Sequence, residues 1–435
     1  MSARLGAMLT AWPLAVCCPK LVDVMVSMRT LYATFVPLAL LVAGSTATAQ
    51  DDAAAGGAFQ VHPLTGPAVR GRVTALDAKG VSFGEKRLDF EDLWFFHGPA
   101  PALQASGLVE VRLATGERLV GDVLGGDVDG NGLTLRTPSY GPIEIALDDV
   151  VLLRVRGEEG FPDAARFARA SGAAAGETVY KETPLGFDPV RGVLEYVETK
   201  GVHFEVDGGG SELFTWNRIA GMTLPRLVPK YGPSGARIVL LTSDGSRLHV
   251  RGKSMDGSTL VFAHERFGDL RVEPERILAG HVEDEATRIM VSKLSPTRVD
   301  ERDLFSEKAL YSWERDANVL GGPLCVGRSY FTSGIGAHAL SRLEFEVPEG
   351  ATSLRTWFGA DDIAIANSRI GDMSFRILRG DEVLAEAKNV RGGRNAEPFP
   401  PLAVVAGQRV VFEIGFGAAL HTLDRGDWLV PVFVR

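Results

Sequence analysis

Short apolar segments that alternate with polar residues recur along this chain, and they constrain its fold more than any other feature. Val69–Val73 alternates in this way, and so does Leu133–Leu135. Gly, Asp and Asn separate such segments, for example at Asp129–Gly132, and these residues supply the positive φ angles that tight hairpins need. Alternation over short segments is typical of strands with one buried face. The sequence therefore predicts an all-β protein.

The strand segments also repeat. Three segments of the first half recur in the same order and at nearly constant spacing: Val69–Gly71 as Val190–Gly192, Val111–Gly121 as Val239–His249, and Gly141–Ile145 as Gly268–Val272. Two tandem copies of a two-part module explain this pattern. We expect each part to be a small, strongly bent barrel or sandwich of about five strands.

Composition shifts and helix propensity set the expected boundaries. Asp163–Ala170 and Glu283–Lys293 favour short helices. We expect the following order: an export signal at 1–49, a linker at 50–65, the first β module at 66–157, a short helix and linker at 158–186, the second β module at 187–283, a helical linker at 284–291, and a C-terminal domain at 292–435.

Bulk properties exclude several classes of protein. The 435 residues exceed one usual hydrophobic core. The chain is 45% hydrophobic and 23% charged, which is typical of globular domains rather than of disordered or polytopic membrane proteins. Its formal net charge is −9 and no dense Lys/Arg run follows the first 49 residues, so we expect no nucleic-acid partner.

The first 49 residues resemble an export signal whose start codon could be Met28. Arg29 would supply the basic region, Leu31–Gly44 the apolar region and Ala47–Ala49 the small residues before a cleavage site. We expect cleavage after Ala49, no transmembrane span in the mature chain, and a periplasmic or secreted location. The alternatives are lipid attachment at Cys17 and an uncleaved anchor.

Cysteine usage is simple once that segment is removed. Cys17 and Cys18 would be lost, which leaves Cys325 alone. A single cysteine forms no internal disulfide, and no cysteine cluster suggests zinc. We expect stability to come from β packing.

The last third of the chain contains separated motifs in one order. They are Trp313–Asp316, Gly321–Leu324, Tyr330–Ala339, Phe358–Asp362, Gly371–Ile377 and Asp424–Trp428. This order resembles the NPCBM family of carbohydrate-binding modules, and the likeness covers residues 292–435. It departs from the family at Leu378–Glu382 and in the apolar Leu429–Val432. The resemblance implies a galactose-binding-like β-sandwich, a jelly roll, of the kind often attached to glycoside hydrolases.

Aromatic rings commonly contact sugar faces, and nearby polar groups bond the hydroxyls. The candidate carbohydrate-binding residues are Trp357, Asp361, Asp362, Asn367, Asp427, Trp428 and His338. Each has a structural alternative. The two tryptophans could pack in the core, His338 could bond a turn backbone, and the Asp361–Asp362 pair could cap a loop or bind calcium.

Motifs for catalysis are missing from the sequence. Asp127–Gly132 resembles a calcium loop, but Pro138 occupies the position that requires Glu, which favours a hairpin turn. The sequence contains no nucleophile elbow, no phosphate-binding Gly-Lys-Ser/Thr loop and no dinucleotide motif. We therefore expect a non-catalytic glycan-binding protein without a cofactor. The alternatives are an envelope component that binds proteins and a glycoside hydrolase or its accessory subunit, which would need a suitably spaced acid pair.

Overall fold

Strands and short 3-10 helices form the secondary structure of the part of the chain that the computed structural model describes. The described residues are 57–104, 106–127, 129–157, 161, 176–184, 186–225, 235–303, 311–366, 369–417 and 423–435. The predicted export signal and the predicted helix at Asp163–Ala170 lie outside them. No helix among the described residues has the length and apolar character needed to cross a membrane.

Four modules of one design occupy residues 59–283. Module 1 contains β1 Phe59–Pro63, β2 Val69–Gly71, β3 Val73–Leu76, β4 Gly80–Phe83, β5 Lys86–Asp89 and β6 Leu93–His97. Module 2 contains β7 Val109–Leu113, β8 Arg118–Gly126, β9 Gly132–Thr137, β10 Gly141–Ala146 and β11 Val150–Val155. Module 3 contains β12 Glu177–Thr183, β13 Gly186–Glu198, β14 Gly201–Val206, β15 Ser211–Thr215 and β16 Ile219–Thr223. Module 4 contains β17 Arg237–Thr242, β18 Arg247–Asp256, β19 Thr259–His264, β20 Gly268–Val272 and β21 Ile277–Glu283.

Each module is an antiparallel meander whose last strand returns to pair with the first. In module 2 the return pairs β11 with β7, and in module 4 it pairs β21 with β17. A 3-10 helix precedes the last strand in modules 2, 3 and 4, at Leu147–Asp149, Trp216–Arg218 and Pro274–Arg276. The sheet thereby curls around its own apolar side chains into a small barrel.

A glycine allows the second strand of a module to bend. In module 2, β8 pairs with β7 up to Gly121 and with β9 from Asp122 onward. A Cβ atom on Gly121 would lie 2.4 Å from the carbonyl oxygen of Arg136. Gly192 of β13 is placed similarly, because a Cβ atom there would lie 1.9 Å from the carbonyl oxygen of Glu205. At Gly192, the last residue of the second Val-Arg-Gly segment, this close approach of backbones leaves no room for a side chain.

The modules join through their last strands. Strand β11 of module 2 pairs with β16 of module 3, and β6 of module 1 pairs with β21 of module 4. Modules 2 and 4 also meet, because Arg118 of β8 pairs with Arg247 of β18. Modules that follow each other in sequence are thus not the only neighbours in space.

The C-terminal region is a sandwich of two antiparallel sheets. The first sheet contains β22 Arg288–Met290, β24 Glu314–Arg315, β27 Gly334–His338, β29 Ser353–Ala360, β34 Glu397–Pro398, β35 Leu402–Ala403 and β37 Arg425–Val434. The second contains β23 Arg298–Glu301, β28 Ser341–Glu346, β32 Asp372–Arg379, β33 Glu382–Arg391 and β36 Arg409–Phe416. Two small hairpins lie outside these sheets: β25 Leu324–Val326 with β26 Ser329–Phe331, and β30 Ile365–Ala366 with β31 Arg369–Ile370. Two further 3-10 helices are Val291–Lys293 and Asp362–Ala364. The predicted fold class, small tandem β modules followed by a β-sandwich, is confirmed.

The structure corrects three predicted linkers. The predicted linker at 50–65 contains strand β1. This strand forms because its buried side chains, Phe59 and Val61, alternate with polar residues. Strand β12 lies within 158–186 and is the first strand of module 3. The helix predicted at 284–291 is wrong, since Arg288–Met290 pairs with β37. Strand pairing in the folded protein outweighs the weak helix propensity of that segment.

Module 1 packs directly on the sandwich. Trp94 and Phe95 join an apolar cluster with Phe331, Leu429 and Val430 of the sandwich. The indole Nε1 of Trp94 donates a hydrogen bond to the carbonyl oxygen of Val430 at 3.1 Å. The buried guanidinium of Arg288 donates to the backbone carbonyls of Phe90, Glu91 and Leu93. The sandwich is therefore anchored to the module array by both apolar packing and hydrogen bonds.

Candidate functional site

Trp428 lies in the core of the sandwich. Its side chain is 1% exposed, and its indole centroid is 5.0 Å from the rings of Phe375 and Phe412 in edge-to-face contacts. A third ring, that of Phe399, is 6.1 Å away. No face of the indole is free for a sugar, so the prediction that Trp428 contacts a ligand is corrected to core packing.

Asp361 and Asp427 are brought together at one end of the first sheet, and both are buried. Asp361 follows β29 and accepts hydrogen bonds from the backbone nitrogens of Ile363 and Cys325, at 2.8 and 3.1 Å. It caps the 3-10 helix Asp362–Ala364. Burial, followed by the charge of Asp361, raises the pKa of Asp427 well above its usual range, and burial also raises the pKa of Asp361.

Asp362 holds the β25–β26 hairpin. Its carboxylate accepts hydrogen bonds from the backbone nitrogens of Gly327 and Arg328, at 2.8 and 2.9 Å. The Cys325 thiol lies 3.3 Å from the same carboxylate, and burial followed by this charge raises the pKa of the thiol. The Asp362 carboxylate thus accepts its hydrogen bonds from protein donors, which favours the loop-capping alternative.

These acids do not form the exposed pair that glycoside hydrolysis needs. Asp361 and Asp427 are each 1% exposed, so a sugar in solvent does not reach their oxygens. Within the described parts of the chain, no group of three or more His, Cys, Asp or Glu side chains is arranged to hold a metal ion. Calcium binding at Asp361–Asp362 stays the alternative to loop capping.

His338 lies on β27 beside an aromatic and a cation. Its Nδ1 is 2.5 Å from the carbonyl oxygen of Ala339, and its ring centroid is 5.7 Å from that of Tyr311. The guanidinium of Arg425 lies 5.4 Å from the same tyrosine ring. The backbone contact matches the structural alternative for His338. Asn367 lies outside the described residues.

Trp357 is half-buried and lines a groove between the sandwich and module 1. Its indole makes edge contacts with the rings of His62 and Phe95, at centroid distances of 5.0 and 5.4 Å. The groove has a volume of about 540 Å³, within the range of small-molecule sites. We call it the junction groove, and it is lined by His62, Pro63, Leu64, Gly66, Ala68, Trp94, Arg355, Trp357, Pro398, Phe399, Pro400 and Pro401.

Two polar side chains of the junction groove have atoms without a protein partner. Nε2 of His62 and Nε of Arg355 are buried and make no hydrogen bond. The His62 ring stacks on Phe95 at 4.4 Å, and burial lowers its pKa to about 4, so it is neutral at pH 7. One nitrogen of the Arg355 side chain, Nη1, donates to the carbonyl oxygen of Leu64. The groove is therefore lined by an indole and by two side chains that each carry a buried, unpaired nitrogen.

No motif in the sequence singles out His62, Arg355 or the contribution of module 1 to the groove. One signal was available, because Leu93–Phe96 is an uninterrupted apolar run. Such a run predicts burial on both faces of a strand, and β6 indeed faces its own barrel and the sandwich. The groove itself could not be predicted, since it depends on how two distant segments dock.

Comparison with known proteins assigns the sandwich to a family. Residues 289–434 match the NPCBM/NEW2 domain model, which confirms the resemblance seen in the motifs. The chain is 29% identical over 116 residues to alpha-1,3-galactosidase B of Akkermansia muciniphila. That match covers 26% of this chain and only 14% of the relative.

Solved structures with some similarity include carbohydrate-binding modules. One is a CBM51 module from Clostridium perfringens in complex with methyl-galactose, with 16% identity and a TM-score of 0.29, covering 34% of this chain and 99% of that one. Another holds the tandem CBM51 modules of a family 98 glycoside hydrolase from Streptococcus pneumoniae, with 13% identity and a TM-score of 0.29, covering 46% of this chain and 72% of that one.

Proposed function

We propose that this chain is an exported, non-catalytic glycan-binding protein whose C-terminal sandwich engages the sugar. The match of residues 289–434 to the NPCBM/NEW2 domain carries this proposal. The geometry supports it through Trp357, a half-buried indole in a groove with nearby polar groups. An indole face and a few hydrogen-bonding groups are the features that recognise a pyranose ring.

The buried acids support a binding rather than a catalytic role. A glycosidase needs one ionised and one protonated carboxyl group on either side of a bound sugar. Asp361 and Asp427 instead bond to or lie beside protein groups and are closed to solvent. The small residues Ala47–Ala49 after an apolar segment support export to the periplasm or the exterior.

The test is a glycan array probed with the whole chain and with two variants. We expect the whole chain to retain a defined set of glycans and Trp357→Ala to retain none of them. Trp313→Ala is the matched control, because Trp313 is a partly buried indole of the same sandwich that packs under Arg315 rather than in the junction groove. Failure of the folded whole chain to retain any glycan would contradict the proposal.

A second candidate is an envelope component in which the modules bind protein. Exposed apolar side chains on modules 2 and 3 favour it, namely Leu124, Val193 and Tyr196. Copurification of fixed envelope proteins that is indifferent to added sugar, and that is lost in Val193→Asp, would promote this candidate. Val405→Asp is its control, since Val405 is an exposed apolar residue of the sandwich.

A further inference from the structure

The junction groove has two walls that come from different domains. His62, Pro63 and Leu64 belong to module 1 or directly follow its first strand, whereas Arg355 and Trp357 belong to strand β29 of the sandwich. The module 1 wall lies outside residues 289–434, which the family model matches. Whatever occupies this groove therefore contacts a surface that an isolated sandwich domain would lack.

We propose that the junction groove is a saccharide site built jointly by module 1 and the sandwich, in which a pyranose ring stacks on Trp357 and its hydroxyls bond His62 and Arg355. This inference rests on the proposed glycan-binding function and deepens it. It assigns His62, a residue of module 1, to ligand recognition.

Unpaired polar atoms point to a hydroxylated ligand. His62 is 9% exposed, and the partner of its Nε2 is missing among the described protein groups. The same holds for the Nε hydrogen of Arg355. Buried donors and acceptors normally have partners. A sugar hydroxyl both donates and accepts, so it would serve the guanidinium donor and either tautomer of the imidazole.

The polar groups are held in place before any ligand arrives. Arg355 is fixed by the bond from its Nη1 to the carbonyl oxygen of Leu64, and the backbone nitrogen of Leu64 in turn donates to the carbonyl oxygen of Asp92. His62 is fixed by stacking on Phe95. Such preorganisation lowers the entropic cost of binding a small ligand.

A proline-rich peptide fits the groove less well. Grooves for such peptides are lined by aromatic rings, but the Nε1 of Trp94 already donates to Val430 and cannot bond a peptide carbonyl. The groove also supplies prolines itself, at Pro398, Pro400 and Pro401. A peptide is therefore the competing occupant that the experiment must exclude.

The experiment measures the affinity of the whole chain for the glycan that it retains most strongly on the array, by titration calorimetry. We expect His62→Phe, which keeps the stacking ring but removes both nitrogens, to weaken binding about tenfold. Arg355→Met should weaken it by a similar factor, and Trp357→Ala should abolish it. Arg315→Met is the control, because Arg315 is an arginine of the same sandwich outside the groove.

Each outcome separates the inference from the proposed function. Loss of affinity in the three groove variants, with the wild-type melting temperature retained in His62→Phe, supports the joint site. Glycan binding that is unchanged in His62→Phe and Arg355→Met overturns the inference but leaves the sandwich as a glycan binder at another surface. Binding of a decaproline peptide by the whole chain, lost in Trp357→Ala and without any retained glycan, overturns both.

Discussion

The buried acids of module 2 and three buried acids of the sandwich have different partners. In the array, Glu110 lies against three arginines, and Arg154 donates to it from both Nε and Nη2, at 2.8 and 2.5 Å. In the sandwich, Asp361, Asp424 and Asp427 are buried among backbone groups and other acids. The first arrangement favours the charged form of an acid, and the second favours the protonated form.

The pKa values differ accordingly. Burial alone would raise the pKa of Glu110, but the charges of Arg118, Arg154 and Arg112 outweigh it and lower the pKa to about 2. Glu117 also has its pKa lowered to about 2, because His264 and His249 outweigh its burial. Burial raises the pKa of Asp424 to about 7. Charged pairs of Glu110 and Glu117 therefore fix contacts within module 2 and between modules 2 and 4. In the sandwich, Asp361 and Asp424 instead accept hydrogen bonds from backbone nitrogens.

The largest expected effect is the loss of the Glu110 charge. Glu110→Gln removes the buried anion that pairs with the guanidinium of Arg154, and removing one partner of a buried ion pair costs about 3 to 5 kcal/mol in the free energy of unfolding. Urea denaturation at pH 7 measures this difference. A loss below about 1 kcal/mol in the free energy of unfolding would mean that the stability of the four modules does not depend on their buried charges.

In the sandwich we expect a smaller effect on stability. Its dependence on pH is opposite to that of the acids in module 2 whose pKa is lowered. The pKa of Asp424 is raised from 3.8 in its ordinary state to about 7 in the folded protein. The folded protein thus holds a proton that the unfolded chain has released, and the stability due to this group is lost as pH rises from about 4 to about 7. Asp424→Asn mimics the protonated acid, and its amide oxygen can still accept the hydrogen bond from the backbone nitrogen of Asp372.

Thermal melting at several pH values tests this expectation. The melting temperature of Asp424→Asn should equal that of the wild type near pH 4 and exceed it above pH 7. The matched variant Glu117→Gln should show the reverse, with its deficit largest at neutral pH and shrinking as pH falls from about 4.5 toward about 2. If Asp424→Asn is less stable than the wild type at pH 8, the sandwich requires the charged form and the contrast fails.

The smallest effect is expected where an ion pair is exposed. Asp256 and Arg271 form a pair on module 4 whose side chains are both well exposed. Solvent and salt screen such pairs, so Asp256→Asn should leave the urea midpoint unchanged. A marked loss of stability in this variant would show that charge as such, rather than buried charge, stabilises the array.

The fold could largely be predicted from the sequence because its signals are local. Alternation in segments such as Val69–Val73 and the turn glycines specify strands and hairpins. The recurring Val-Arg-Gly segment indicated repeated modules, since Gly71 and Gly192 lie in their second strands. The strands Phe59–Pro63 and Arg288–Met290 were missed because each is short and is defined by its distant partner in a sheet.

The candidate site was less predictable, for the same reason. The sequence indicated Asp361, Asp362 and Asp427 as candidate sugar-binding residues. It could not show that Asp361 and Asp362 accept hydrogen bonds from backbone nitrogens or that Asp427 is buried. Trp357 and Trp428 have similar apolar contexts, yet one faces a groove and the other the core. That difference depends on module 1 docking against strand β29, which no local pattern encodes.

The most direct test of the central claim, that the sandwich binds a glycan without transforming it, is recovery of a bound glycan. The whole chain would be incubated with the glycan that it retains on the glycan array, and the sugar would then be released and analysed by mass spectrometry. We expect the glycan to be recovered intact at any incubation time. Recovery of cleaved glycan, with cleavage abolished by Asp361→Asn or Asp427→Asn, would contradict it.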